Sequence, residues 1–128
     1  MGVRVLLVTT VIGSAFASAM TAFAADCAGS DQHSLNRCAE DEYRAADRSL
    51  NAQYKVTRKA MAAADPDAER LLIAAQRAWI GFRDAHCEAS AHVNHGGSME
   101  PLTRFGCLAE ATAVRTEQLK QLAEDYGN

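Results

Sequence analysis

The sequence predicts an all-α fold: a three-helix antiparallel bundle with two disulfides, preceded by a signal peptide. No stretch after residue 24 alternates apolar and polar residues as a strand does, whereas Ala, Leu, Arg, Glu and Gln are abundant. The two prolines, Pro66 and Pro101, lie where helices are expected to break. The four cysteines are an even number, which in a short exported chain indicates paired cysteines.

Residues 1–24 have the pattern of a signal peptide. Arg4 is the only charged residue before Asp26, an apolar stretch follows it, and Ala22-Phe23-Ala24 fits a small-x-small cleavage site. The alternative is an uncleaved membrane anchor, but threonine, serine and glycine dilute the hydrophobicity of the stretch. We therefore expect cleavage after Ala24, which leaves one domain, residues 25–128, in the periplasm or outside the cell and without a membrane span.

The first helix is predicted from near Ser30 or Asp31 to about Ala63. Its apolar residues recur at intervals of three and four, which is typical of a helix with one buried face. Asp65 can cap the next helix, and Pro66 suits that helix's first position. The predicted buried face of the first helix consists of Ala39, Tyr43, Ala46, Leu50, Tyr54, Thr57 and Met61.

The second helix is predicted from Pro66 to about His92, and the third follows Pro101. Trp79 and Phe82 lie beside alanines on an apolar stripe, so we interpret them as core residues and not as an exposed recognition patch. The predicted inward residues of the second helix are Leu72, Ala75, Trp79, Phe82, His86 and Ala89. Those of the third are Phe105, Leu108, Thr112, Arg115, Leu119, Leu122 and Tyr126.

Helix register selects one of the three ways to pair four cysteines. Short connections make consecutive helices antiparallel. When the second and third helices are aligned from their shared loop, Cys87 lies level with Cys107. We therefore predict the disulfides Cys87–Cys107 and Cys27–Cys38.

Arg115 occupies a position in the third helix where an apolar residue is expected. The same register places its guanidinium near Asp47 of the first helix and Arg83 of the second. Because a partly buried arginine needs a carboxylate, we predict an Asp47–Arg115 ion pair that Arg83 could share. The alternative is that Arg115 extends along its aliphatic stem into solvent.

The sequence carries no recognisable catalytic motif. Asp84 and Glu88 lie four residues apart, but such carboxylates are usually part of a solvated helix face, so we predict that the protein is not an enzyme. His86, His92 and His95 lie near Cys87 and could suggest a metal site. We interpret them as exposed residues near a helix end and predict no metal or cofactor.

The glycine-rich loop before the third helix is the predicted binding site. A disulfide at its base would pre-organise it, which lowers the entropy cost of binding. The alternative is that its glycines only reverse the chain. The predicted binding residues are His95, Gly96, Gly97 and Ser98, surrounded by Asp84, Glu88 and Glu100.

Loss of Arg4 with the signal peptide changes the net charge from −3 to −4. This acidic balance argues against nucleic acid as a partner and would favour attraction to a basic protein.

A set of residues spread over nearly the whole chain after the signal peptide forms a recognisable pattern: Cys27, Cys38, Tyr43, Ala46-Asp47, Leu50-Asn51, Tyr54, Gln76-Arg77-Ala78-Trp79, Arg83-Asp84, Cys87, Gly96-Gly97-Ser98, Cys107-Leu108, Thr112, Arg115 and Leu119, in that order. This pattern resembles that of the LprI-type lysozyme-inhibitor family. It implies a small exported helical protein with disulfides that blocks lysozyme. One difference is that the family's named member is a lipoprotein, whereas Asp26 precedes Cys27 in this chain.

The expected function is therefore an exported lysozyme inhibitor that occludes the lysozyme cleft. The expected partner is lysozyme or another basic envelope or host protein. The alternative is a structural or interaction module of the cell envelope that binds another protein or a wall component and catalyses nothing.

Overall fold

The computed structural model describes Gly29 and residues 31–127, and the described chain is helical. Three helices, α1 (Gln32–Ala64), α2 (Pro66–Ala91) and α3 (Glu100–Gly127), agree closely with the predicted boundaries. A short 3₁₀ turn, His92–Asn94, follows α2. The predicted signal peptide lies outside the described residues. None of the helices described here is long and apolar enough to cross a membrane.

Asp65 both ends α1 and begins α2. Its backbone N–H donates to the carbonyl oxygen of Met61 at 2.8 Å, and its carboxylate accepts a hydrogen bond from the Asp67 N–H at 2.9 Å. Pro66 takes the first position of α2, where its missing N–H costs no hydrogen bond. A single capping residue therefore reverses the chain and makes α2 antiparallel to α1, as predicted.

The first and third helices run parallel and pack closely. The Asn36 side chain donates to the Ser98 carbonyl oxygen at 2.9 Å, and the buried Thr57 hydroxyl lies 2.7 Å from the Leu119 carbonyl oxygen. Both pairs are 62 residues apart in sequence, so the register stays constant along the two helices. The bundle is therefore up-down-up, with α2 antiparallel to both neighbours.

The apolar core lies mainly where α1 meets α3. The predicted face of α1 is confirmed at its small and central positions, since Ala39, Ala46, Leu50, Thr57 and Met61 are all buried. Leu119 of α3 and Leu72 of α2 complete the main cluster. Tyr54, Trp79 and Leu122 pack around this cluster and are partly buried.

The prediction of the inward face of α2 is wrong: over most of the helix, the buried residue is the one that follows the predicted residue in the sequence. Gln76, Arg83 and Cys87 are buried, whereas Phe82 and His86 are exposed. The reason is that α2 is apolar on two sides, so periodicity alone admits two stripes. The polar contacts of Arg83 and the disulfide decide which side faces the bundle.

The predicted Asp47–Arg115 ion pair is also wrong. The Arg115 guanidinium donates to the amide oxygens of Gln76 at 3.0 Å and Gln118 at 3.1 Å. Asp47 instead faces Arg83, at 3.5 Å. The rotation of α2 explains why Asp47 contacts Arg83 and not Arg115, because it places the Arg83 side chain at the junction of the three helices.

Arg83 is buried at this junction, with 6% of its surface exposed. Its guanidinium contacts the Asp84 carboxylate of α2 at 2.8 Å, the Asp47 carboxylate of α1 at 3.5 Å and the Thr112 hydroxyl of α3 at 3.3 Å. A buried charge is costly unless it is paired and hydrogen-bonded. These contacts therefore tie all three helices to one side chain.

Aromatic rings enclose the same guanidinium. The Arg83 carbon Cζ lies 5.4 Å from the centre of the Tyr43 ring and 5.1 Å from that of Trp79. Arg115 approaches Trp79 as well, at 5.8 Å. Arginine suits this position because its planar, weakly hydrated group can accept ring contacts while it donates hydrogen bonds at its edge.

The predicted Cys87–Cys107 disulfide is confirmed. It joins α2 to α3 with a Cα–Cα distance of 5.5 Å and closes a segment with a sequence separation of 20. A closed loop of this length contributes about 3 kcal/mol to stability. The predicted partner of Cys38 lies outside the described residues, and none of the cysteines within them is a free thiol.

Two adjacent leucines test the rotation of α2. Leu72→Ala should lower the free energy of unfolding by about 3 kcal/mol, because Leu72 is 3% exposed and a cavity would remain. Leu71→Ala should change it by less than about 0.5 kcal/mol, because Leu71 is 71% exposed. Urea unfolding of both variants measures the difference, and equal losses would contradict the described orientation.

Candidate functional site

The candidate site is the tip, which we define as residues 92–99 between α2 and α3. Gly96 has a φ of 73°, a left-handed conformation that favours glycine. A Cβ on Gly97 would lie 3.1 Å from the carbonyl oxygen of Asn94. The glycines therefore have a clear role in reversing the chain, and the reversal places the tip beyond the Cys87–Cys107 disulfide.

The Glu100 carboxylate connects the glycine turn of the tip to the first turn of α3. Its carboxylate accepts a hydrogen bond from the Gly96 N–H at 2.8 Å and contacts Arg104 at 2.7 Å, and it lies 3.7 Å from His95. The Gly96 hydrogen bond, with smaller contributions from Arg104 and His95, lowers the pKa of the Glu100 carboxyl. Glu100 was predicted as a surface carboxylate, but the structure makes it a clamp of the loop.

Side-chain hydrogen bonds tie the tip to two helices. The Asn94 amide group donates to the Thr103 hydroxyl of α3 at 2.7 Å. The Asn36 amide group of α1 donates to the Ser98 carbonyl oxygen at 2.9 Å. Together with the disulfide, these bonds connect the loop to all three helices.

The other two predicted carboxylates lie on the side of α2 and are paired. Asp84 contacts Arg83, and Glu88 accepts from Arg104 at 2.7 and 2.9 Å. Both side chains are nevertheless more than half exposed. Arginines therefore neutralise much of the charge near the tip, although the carboxylates can still be reached by a partner.

The tip exposes apolar side chains that the sequence analysis did not select. Val93 is 81% exposed and Met99 is 49% exposed, one on each side of the glycines. The His92 and His95 rings, in the same segment, stack on each other with centroids 4.8 Å apart. A pair of apolar residues flanking a glycine-rich loop was the signal that could have identified them.

Helix α2 also exposes apolar side chains. Phe82, predicted to be core, is largely exposed and stacks on His86 with ring centroids 5.4 Å apart. Five of the eight exposed large apolar side chains fall between residues 71 and 99: Leu71, Ile80, Phe82, Val93 and Met99. Exposed large apolar side chains are therefore more frequent in α2 and the tip than in α1 or α3 within the described chain.

Cys87 is in the disulfide, and no group of three or more His, Cys, Asp or Glu residues within the described part of the chain could hold a metal ion.

The described residues form a small helical bundle that presents a disulfide-anchored loop. The family model for lysozyme inhibitor LprI matches residues 24–119, so the chain belongs to the LprI lysozyme-inhibitor family. An uncharacterised protein of Rhizobium meliloti (strain 1021) is 46% identical over 107 residues, which cover 76% of this chain and 77% of that protein. No solved structure matches the chain.

Acid should loosen the tip, because the folded pKa of Glu100 is lowered from its ordinary value of 4.5. The stabilisation is fully present above that value and is lost as the pH falls through the lowered pKa. We expect hydrogen–deuterium exchange to show less protection of the Gly96 amide in acid.

Two variants provide the control for this pH dependence. Glu100→Gln should remove the pH dependence of Gly96 protection, whereas Glu110→Gln, at an exposed position of α3, should keep it. Gly96 protection that is equally sensitive to acid in the Glu100 variant would contradict the role of this carboxylate.

Proposed function

We propose that this protein is an exported lysozyme inhibitor that acts by occluding the lysozyme cleft. Membership of the LprI lysozyme-inhibitor family supports the activity. The observation that carries the mode of action is the closed tip, which the Cys87–Cys107 disulfide anchors and Glu100 clamps. Occlusion needs shape and contact surface, and it needs no catalytic group.

Export is supported by two features of the chain. Residues 1–24 have the pattern of a signal peptide with cleavage after Ala24. The disulfide suits an oxidising compartment, such as the periplasm or the medium. The inhibitor would therefore meet lysozyme in the compartment where lysozyme attacks the cell wall.

The tip is the proposed element that enters the cleft. Its backbone bonds and its disulfide fix the loop before binding, so little conformational entropy remains to be lost. Val93 and Met99 would supply the apolar contacts, because both are exposed and lie on either side of the loop. The proposed contact residues of the loop itself are His95, Gly96, Gly97 and Ser98.

The rest of the interface would come from the sides of the tip. A stable interface buries roughly 1,600 Å² in total, which is more than a loop of this size provides. The exposed carboxylates of Asp84 and Glu88 lie on the adjoining helix and could extend the contact. The negative net charge would attract a basic lysozyme at long range, so association should slow as salt is added.

The alternative is an interaction module of the cell envelope with a different partner. The exposed apolar residues on the outer side of α2, Leu71 and Phe82, favour a protein partner for such a module. Under this alternative, the chain would bind an envelope protein or wall component and leave lysozyme active.

A wall-lysis assay tests the proposal. Purified oxidised protein should slow the clearing of bacterial walls by lysozyme in proportion to its concentration. Replacement of two tip residues, Val93→Asp with Met99→Asp, should weaken inhibition at least tenfold, because it removes the apolar contacts and introduces charge. The matched control is Val114→Asp on α3, where the side chain is 54% exposed but distant from the tip.

Each outcome of the assay has a distinct meaning. Complete clearing at a large molar excess, for several classes of lysozyme, would contradict the inhibitor and leave the envelope module. Inhibition that the tip variant does not weaken would contradict the tip as the contact surface. Circular dichroism of each variant verifies that the helical fold is intact.

A further inference from the structure

A groove at the other end of the bundle carries a concentration of positive charge that lysozyme inhibition does not use. It lies between α1 and the start of α2, near the turn at Asp65, and has a volume of about 370 Å³. Its lining includes the cationic side chains of Lys55, Arg58 and Lys59. The whole chain is acidic, so this local excess of positive charge differs from the rest of the molecule.

Of the three cationic side chains that line the groove, one is held by an internal ion pair and two are available to bind a ligand. Glu69 accepts from the Arg58 guanidinium at 2.6 and 3.0 Å, and Arg58 also lies 5.8 Å from the centre of the Tyr54 ring. Lys55 and Lys59 are exposed, and neither forms an ion pair with another described residue. The two ammonium groups can therefore bind an external anion without breaking an internal contact.

The positive charge continues from the groove along α1. Arg48, Lys55 and Lys59 are separated by seven and four residues, so they follow one face of the helix for about 17 Å. Arg44, one turn before Arg48, is paired with Glu40, and the groove of about 410 Å³ beside these two arginines is also lined by the carboxylates of Glu40 and Asp47. The path suits an extended chain of anionic units better than a single small ion.

Shape and chemistry together select the class of ligand. A flat bilayer could touch the exposed lysines, but it could not enter the grooves beside them. The Asn51 amide nitrogen already donates to Asp47, but the Asn51 amide oxygen and the Tyr54 phenol in the first groove offer neutral groups that can hydrogen-bond to hydroxyls, and the lysines offer charge to carboxylates. We propose that the groove between α1 and α2 binds an acidic polysaccharide, with Lys55 and Lys59 holding its carboxylates.

This site is independent of the tip, since it lies at the opposite end of the bundle. Occupation of the groove would leave residues 92–99 free. An acidic polysaccharide could therefore retain the protein at a cell surface while the tip remains exposed to a second partner.

Titration of the full oxidised protein with an oligogalacturonate, a chain of carboxylated sugars, tests the proposal. Calorimetry should detect binding that weakens about tenfold as salt rises from roughly 50 to 200 mM, as expected when about two cations engage a polyanion. Neutral dextran of the same length should not bind. NMR signals of Lys55, Lys59 and Tyr54 should shift together during the titration.

Charge reversal identifies the site. Lys55→Glu with Lys59→Glu should weaken oligogalacturonate binding at least tenfold, and both positions are exposed, so the fold should persist. The matched control is Lys120→Glu, which reverses an exposed lysine on α3 and should retain binding.

Three results would overturn the proposal: no binding of oligogalacturonate, undiminished binding by the double variant, or equally strong binding of phosphatidylglycerol vesicles or oligothymidylate. The last result would indicate a general polyanion surface. Inhibition of lysozyme by the double variant is measured separately and should be unchanged, so failure of the groove proposal is distinguishable from failure of the tip proposal.

Discussion

The buried guanidinium of Arg83 is the constraint on which the arrangement of the three helices depends. Its carboxylate partners come from α1 and α2, its hydroxyl partner Thr112 comes from α3, and two aromatic rings enclose it. A charge in a small core is tolerated only with such partners, and this rotation of α2 buries Arg83 where those partners meet. The Cys87–Cys107 disulfide lies one helical turn further along and fixes the same orientation covalently.

This orientation also explains the surface that α2 presents. Adjacent residues on a helix point about 100° apart, so burial of Arg83 turns Phe82 towards solvent. The close parallel contact of α1 with α3 supplies much of the core, and α2 contributes one apolar stripe to it. Its second apolar stripe, which includes Leu71 and Phe82, remains exposed. The buried arginine and the exposed apolar surface are thus consequences of a single packing choice.

Most of the fold could be predicted from the sequence because its signals are local. Intervals of three and four residues gave the helices, Asp65 and Pro66 marked the first turn, and antiparallel register placed Cys87 level with Cys107. The rotation of α2 could not be obtained in this way, since two of its sides are apolar and the choice depends on contacts from other helices. For the same reason, the sequence analysis paired Asp47 with Arg115, whereas the structure pairs Asp47 with Arg83. At the tip, the hydrogen bond between Glu100 and Gly96 could not be predicted from the sequence, because it depends on the backbone conformation at Gly96.

The most direct test of this account is the stability of Arg83→Lys, with Arg77→Lys at an exposed position of α2 as the control. Lysine keeps the charge but lacks the planar group that reaches three partners between two rings. Urea unfolding of the oxidised proteins should show a loss of about 2 kcal/mol for the first variant and less than about 0.5 kcal/mol for the second. An Arg83→Lys variant as stable as the wild type would show that positive charge alone suffices and would contradict the account.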